Sequence, residues 1–108
     1  MFARVLYFEV KPEKKEEFLK VLKNEVLPIL KKQNGFLEIL PLVPEKLAEE
    51  KVYTISLWNR EVDAMKYEKE FYPKVFNFIE PYLRTPVTVK NFNVETTLCE
   101  HFVQAMAA

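Results

Sequence analysis

The stretch "YTISLWNREVDAMKYEKEFYPKVF", Tyr53 to Phe76, passes from strand to helix within a few residues. Its first part alternates. Tyr53, Ile55 and Leu57 fall on one side, and Thr54, Ser56 and Trp58, with Val52 just before them, fall on the other. The second side is the more polar, yet it carries the chain's single tryptophan. The period then changes. Asp63 stands where a helix cap belongs, and Tyr67, Phe71, Val75, Phe78 or Ile79, and Tyr82 recur at helical spacing as an aromatic stripe. Pro73 lacks a backbone donor inside that pattern and predicts a helix in two pieces, the second starting near Pro73.

Upstream, "ARVLYFEV" (Ala3–Val10) also alternates, with Arg4, Leu6, Phe8 and Val10 on one face and Ala3, Val5, Tyr7 and Glu9 on the other. "KPEKKEEF" supplies a proline and early glutamates for a helix start, and Phe18, Leu22, Val26 and Ile29 or Leu30 continue it. Pro28 predicts a kink or an early last turn, and Gly35, the only glycine, suits a left-handed helix end. "GFLEILPLV" reads as a strand that Pro41 and Pro44 confine to an edge or a bulge. Downstream, "TPVTVKNFNVETTL" is a fourth strand, and "CEHFVQAMAA" is a tail with room for one helical turn.

The order is β-α-β-β-α-β, an α+β chain of the ferredoxin-like kind: a four-stranded antiparallel sheet with two helices on one face. A chain of 108 residues holds one domain, spanning 1–108. Two helices cover one sheet face, while apolar residues occupy both faces of the first strand. We therefore expect a second copy of the chain to cover the other face, with Leu6, Phe8, Ile55 and Leu57 on the side opposite the pocket.

Composition narrows the function. Sixteen Lys and Arg balance sixteen Asp and Glu, so the phosphate-binding excess of a nucleic-acid partner is missing. One cysteine, Cys99, and one histidine, His101, preclude an intramolecular disulfide or a His/Cys metal cluster within one chain. No apolar window approaches the about 20 residues that span a bilayer, and the N-terminus is unlike a secretory signal. The expected location is the cytoplasm, with no membrane partner.

"VKPEKKEEFLKVL", the corner "NGFLEILPLVPE", "YTISLWNREVDAMKYEKEF" and the closing "VKNFNVETT" together resemble the antibiotic-biosynthesis-monooxygenase-like group of the dimeric α+β barrel superfamily. The resemblance implies a closed dimeric barrel and, in each subunit, a pocket between sheet and helices lined by Val5, Tyr7, Ser56, Trp58, Tyr67 and Phe71. The haem-degrading branch has an Asn, a Trp and a His at positions that fall near Val5, Tyr67 and Asn77, and none of the three is kept. Other members have a histidine early in the second helix, where this chain has Tyr67. Neither haem ligation nor a histidine base carries over, and no cofactor is expected.

Two functions fit. One is a cofactor-independent monooxygenase for a small aromatic or quinol-like substrate, with Tyr67 and Tyr7 as candidate catalytic groups that orient a phenol or donate a proton. The other is a non-catalytic homodimer that binds a small hydrophobic molecule. Trp58 is a pocket wall in either case, unless it is simply core. The tail with Cys99 and His101 has no third group to make a Cys/His nucleophile, and is read as solvent-facing or packed in the dimer.

Overall fold

The middle of the sheet is the antiparallel pair β1 (Phe2–Glu9) and β3 (Lys51–Trp58), with Phe2 opposite Trp58, Arg4 opposite Ser56, Leu6 opposite Thr54 and Phe8 opposite Val52. The strand β2 (Phe36–Leu42) adds beyond β3, and β4 (Thr88–Asn93) adds beyond β1, in the order β2-β3-β1-β4 with every neighbour antiparallel. The computed structural model describes residues 1–46 and 50–98. The tail with Cys99 and His101 lies outside the described residues. Within them the ferredoxin-like order expected from the sequence is present. As expected of a proline-bearing strand, β2 is an edge, and it also carries a bulge between Phe36 and Glu38.

Both helical arms lie on one face. A 3-10 turn, Pro12–Lys14, leads into α1 (Lys15–Val21), a π-helical turn (Leu22–Val26) and α2 (Leu27–Lys31). Phe18, Leu22, Val26 and Leu30 are the buried stripe of this arm. Residues four apart drift about 40° round an ordinary helix. A turn widened to i→i+5, here closed by Leu27 N–H on the Leu22 carbonyl, takes part of that drift back and keeps the stripe on the sheet. It also answers Pro28, which has no N–H for the Asn24 carbonyl and would press its ring on it. The expected kink at Pro28 is thus a π turn before it, and the helix continues to Lys31.

The second arm is α3 (Glu61–Glu70) and α4 (Tyr72–Ile79), joined at Phe71, and Pro73 lies in the first turn of α4 as anticipated. Asp63 does not cap α3. Arg60 occupies the cap position, and the Asp63 carboxylate accepts two bonds from the Arg60 guanidinium, 3.2 Å from Nε and 3.1 Å from Nη2. In the first turn its charge still favours the helix N-terminus.

Register corrects one expectation. Leu6 and Phe8 do not share a face with Ile55 and Leu57; they pair across from Thr54 and Val52 and join the core beneath the helices. Val5 pairs with Ile55 and Tyr7 with Tyr53, on the opposite, helix-free face. That open face also carries Leu40, Leu42 and Phe92, which with Tyr53 are 40–51% exposed.

Gly35 ends the first arm with φ +78, the left-handed region that the sequence anticipated. Its carbonyl accepts the Asn59 N–H at 2.8 Å, and a Cβ built on it would lie 2.2 Å from Asp63 Oδ2. Gly35→Ala should therefore lower the free energy of unfolding by about 1–3 kcal/mol in urea titration. The loss should be smaller when Gly35→Ala is combined with Asp63→Ala, since the carboxyl contacts are then gone and what remains is the backbone strain and the 2.8 Å approach to the Cβ of residue 63.

Candidate functional site

Trp58 ends β3 and is completely buried. Its ring meets Phe36 edge-on at 5.5 Å and Tyr67 at 5.2 Å with 32° between planes. Its Nε1–H donates to Ser56 Oγ at 3.0 Å, and the Ser56 hydroxyl donates to the Arg4 carbonyl at 3.3 Å. The polar character of this strand face is thus explained: Ser56 satisfies the indole and ties β3 to β1. Trp58 packs as core between two rings.

Beside it, between sheet and helices, is a cavity of about 30 Å³. The sheet contributes Arg4, Thr54 and Ser56, α3 contributes Tyr67, and the π turn closes the far side with Leu22 and Val26. The expected pocket residues divide accordingly. Ser56 and Tyr67 line this cavity, and Trp58 stands outside its lining. Phe71, one turn beyond Tyr67, faces an outer groove of about 650 Å³ between the end of α2 and α3. Val5 and Tyr7 lie on the other side of the sheet, where Tyr7 stacks on Tyr53 at 5.7 Å and the Lys90 ammonium sits 6.0 Å from its ring. Tyr67 and Tyr7, the two candidate catalytic groups, are therefore not brought together.

Arg4 is the residue that sequence reasoning passed over. Only 2% exposed, it lies over the Tyr72 ring at 4.3 Å and within 5.7 Å of the Tyr67 ring, while its Nη2 is 3.6 Å from Glu68 Oε1. A charged residue amid the apolar alternation of "FARVLYF" was the available signal, since a buried arginine needs partners. Tyr72 and Glu68 left no such trace.

The two tyrosines are held neutral. Burial pushes the Tyr67 hydroxyl well above its ordinary pKa, the Arg4 charge offsetting only part of the effect. Burial also raises Tyr72, again against the pull of Arg4. At neutral pH Tyr67 is a hydrogen-bonding phenol and no base. Among the described residues no three His, Cys, Asp or Glu side chains gather as metal ligands.

Both folded-state pKa values lie above the unfolded value of about 10, so the proton is held more tightly in the folded chain. The associated stability is complete below about pH 10 and is lost as pH rises toward the folded values. Alkaline titration followed by Trp58 fluorescence should show unfolding that begins near pH 10. Tyr67→Phe, which has no proton to lose, should unfold at higher pH than the wild type.

No curated protein matches the chain in sequence. Among solved structures, a monooxygenase from the gene ActVA-Orf6 of Streptomyces coelicolor, in complex with nanaomycin D, matches with a TM-score of 0.74 at 15% identity over 87% of either chain. SnoaB, a cofactor-independent oxygenase from Streptomyces nogalater, matches at 0.69 with 19% identity, covering 91% of this chain and 96% of its own. A conserved protein from Methanosarcina mazei matches at 0.68 with 18% identity over 88% of this chain and 94% of its own. At these identities the likeness is one of fold. The sequence model of the antibiotic biosynthesis monooxygenase family matches residues 1–70, the span that holds β1 to β3 and, with them, Arg4, Ser56, Trp58 and Tyr67. The chain belongs to the antibiotic biosynthesis monooxygenase family.

Proposed function

We propose that the protein is a single-domain, cytoplasmic homodimer that oxygenates a small aromatic or quinol-like substrate without a cofactor, in the space between sheet and helices. The observation that carries this reading is a mainly apolar cavity into which Arg4, Thr54, Ser56 and Tyr67 bring polar groups, walled on one side by the apolar side chains of the first helical arm. The family membership supports it, as does the likeness in fold to a cofactor-independent oxygenase. A volume of about 30 Å³ suits one water, so a ring enters only as the helices move away from the sheet.

In such chemistry the substrate itself supplies the electrons. An anthrone-type CH₂ becomes C=O, one oxygen atom of O₂ staying on carbon and the other leaving as water. The chain's part is to bind the electron-rich ring, exclude bulk water and offer a neutral phenol, Tyr67, as a hydrogen-bond donor. That same neutrality favours a second reading, a non-catalytic dimer that holds a small hydrophobic ligand, because no residue of the cavity is a base at neutral pH.

Oxygen consumption by the purified protein with a panel of quinols and anthrone-type compounds separates the two. The first reading expects uptake with at least one of them, lowered about 10-fold or more in Tyr67→Phe. Binding without uptake across the panel would leave the second.

The homodimer is supported by the open face. Leu40, Leu42, Tyr53 and Phe92 form an apolar surface that one chain leaves to solvent, whereas sheet-to-sheet packing would bury it at about 25 cal/mol per Å². Because Leu40 is already 43% exposed in the single chain, Leu40→Glu should leave the subunit folded and break the dimer. Sedimentation at micromolar concentration should give a dimer for the wild type and a monomer for the variant. A wild-type monomer would end the dimer reading.

A further inference from the structure

The Arg4 guanidinium is charged, enclosed and incompletely bonded. Neither Nε nor Nη2 has a hydrogen-bond acceptor among the described residues, and the Glu68 carboxylate stands off at 3.6 Å from Nη2. The stacked Tyr72 ring answers the charge but accepts neither N–H. The Tyr72 hydroxyl is buried too and has no partner within hydrogen-bond geometry among the described residues, although Arg4 is near enough to draw its pKa down. Ser56 Oγ, the nearest hydroxyl in the strand pairing, is already engaged with the Trp58 indole and the Arg4 carbonyl.

The position of these two nitrogens matters. Nε–H and Nη2–H lie along one edge of the planar fork and point in parallel, the arrangement that takes two oxygens of a carboxylate at once. Leaving that edge empty in a buried setting is costly, and a single water in the cavity supplies an acceptor without a countercharge. Among the described residues Glu68 is the only carboxylate that an ion pair places beside Arg4, and its side chain is 37% exposed, with room to rotate outward when another anion arrives.

We propose that Arg4 is an oxyanion anchor and that the ligand of this cavity is a small aromatic anion, its ring-conjugated carboxylate or ionised hydroxyl seated on the Nε and Nη2 edge in place of Glu68. The inference rests on the reading of the cavity as a ligand site and adds the charge of the ligand to it. Arg4 contacts that oxygen directly, and the Tyr72 ring, 4.3 Å from the guanidinium carbon, backs the cation.

The test is a set of matched probes: naphthoate, naphthol and the neutral naphthylmethanol, titrated against the full chain and followed by Trp58 emission and by the absorbance of the probe. Naphthoate or naphthol should bind about 10-fold or more tighter than naphthylmethanol, as bonds to a charged group would give. If the hydroxylic probe is the better mimic, it should bind at neutral pH with the spectrum of its anion; if the carboxylate is, naphthoate should lead. Arg4→Met should fold at least as well as the wild type, because an apolar side chain of similar length replaces a buried charge. It should lose the preference for the anions while keeping the affinity for naphthylmethanol. Glu68→Gln should tighten naphthoate several-fold, since the competing carboxylate is gone.

Equal affinity for charged and neutral probes would overturn the anchor and leave the ligand site standing. An anion preference that survives Arg4→Met would place the anion on the outer groove, which is edged by Lys32, Arg60, Lys66 and Lys74, and would equally overturn it. Absence of binding by all three probes would overturn both the anchor and the ligand site beneath it.

Discussion

The pairing of β1 with β3 is the constraint on which the rest depends. In an antiparallel ladder the side chains opposite one another share a face, and a slip of one residue would send every one of them to the other side. With Arg4 set against Ser56 and Leu6 against Thr54, one sheet face receives a guanidinium and two hydroxyls in the same neighbourhood as Leu6, Phe8 and Val52. The Ser56 hydroxyl on the Arg4 carbonyl holds the same register from the side-chain direction. Because this pair is central, with β2 and β4 outside it, a slip would also move the apolar residues that hold both helical arms.

That face is divided along its length. Toward the end of β1, Phe8 meets Phe18 edge-on at 5.5 Å, and Phe18 meets Tyr82 at 6.4 Å, a wholly apolar and aromatic contact. Toward its start, Arg4 lies beneath Tyr67 and Tyr72 of the second arm, and Trp58 beside them. The first zone secures the fold. The second buries two guanidinium nitrogens and a phenolic hydroxyl that find no hydrogen-bond partner among the described residues, a cost that a protein selected for stability alone would shed by exchanging Arg4 for an apolar residue. The contrast between a saturated zone and an unsaturated one is what the proposed site rests on.

The first helical arm shows how a local defect serves that division. Pro28 cannot sit within a regular helix without cost, and the chain absorbs it in a π turn at Leu22–Val26. Leu22 and Val26 are at once members of the buried stripe and the wall of the cavity facing Arg4. Electrostatics at the opposite side are consistent: the tyrosines nearest Arg4 stay protonated, so among the described residues the cation is left with Glu68 as its one anionic partner and faces it across 3.6 Å.

By itself the sequence determined the elements and their order. Alternation marked β1 and β3, helical spacing marked the buried stripe from Phe18 to Leu30, and Gly35 and Pro73 marked a helix end and a helix break; all are local properties of consecutive residues. It also placed the residues of β1 and of β3 on two faces each, as the register has them. What it did not determine was which face of β1 goes with which face of β3, because that phase is set by pairing between segments some fifty residues apart and leaves no local trace. Hence Val5 and Tyr7 were grouped with Ser56 and Trp58 although they lie on the open face, and Asp63 was read as a cap although Arg60 claims its carboxylate. The cluster of Arg4, Glu68, Tyr67 and Tyr72 exists only once α3 and α4 are laid over the start of β1. Burial and proximity made that cluster, and both are properties of the folded chain.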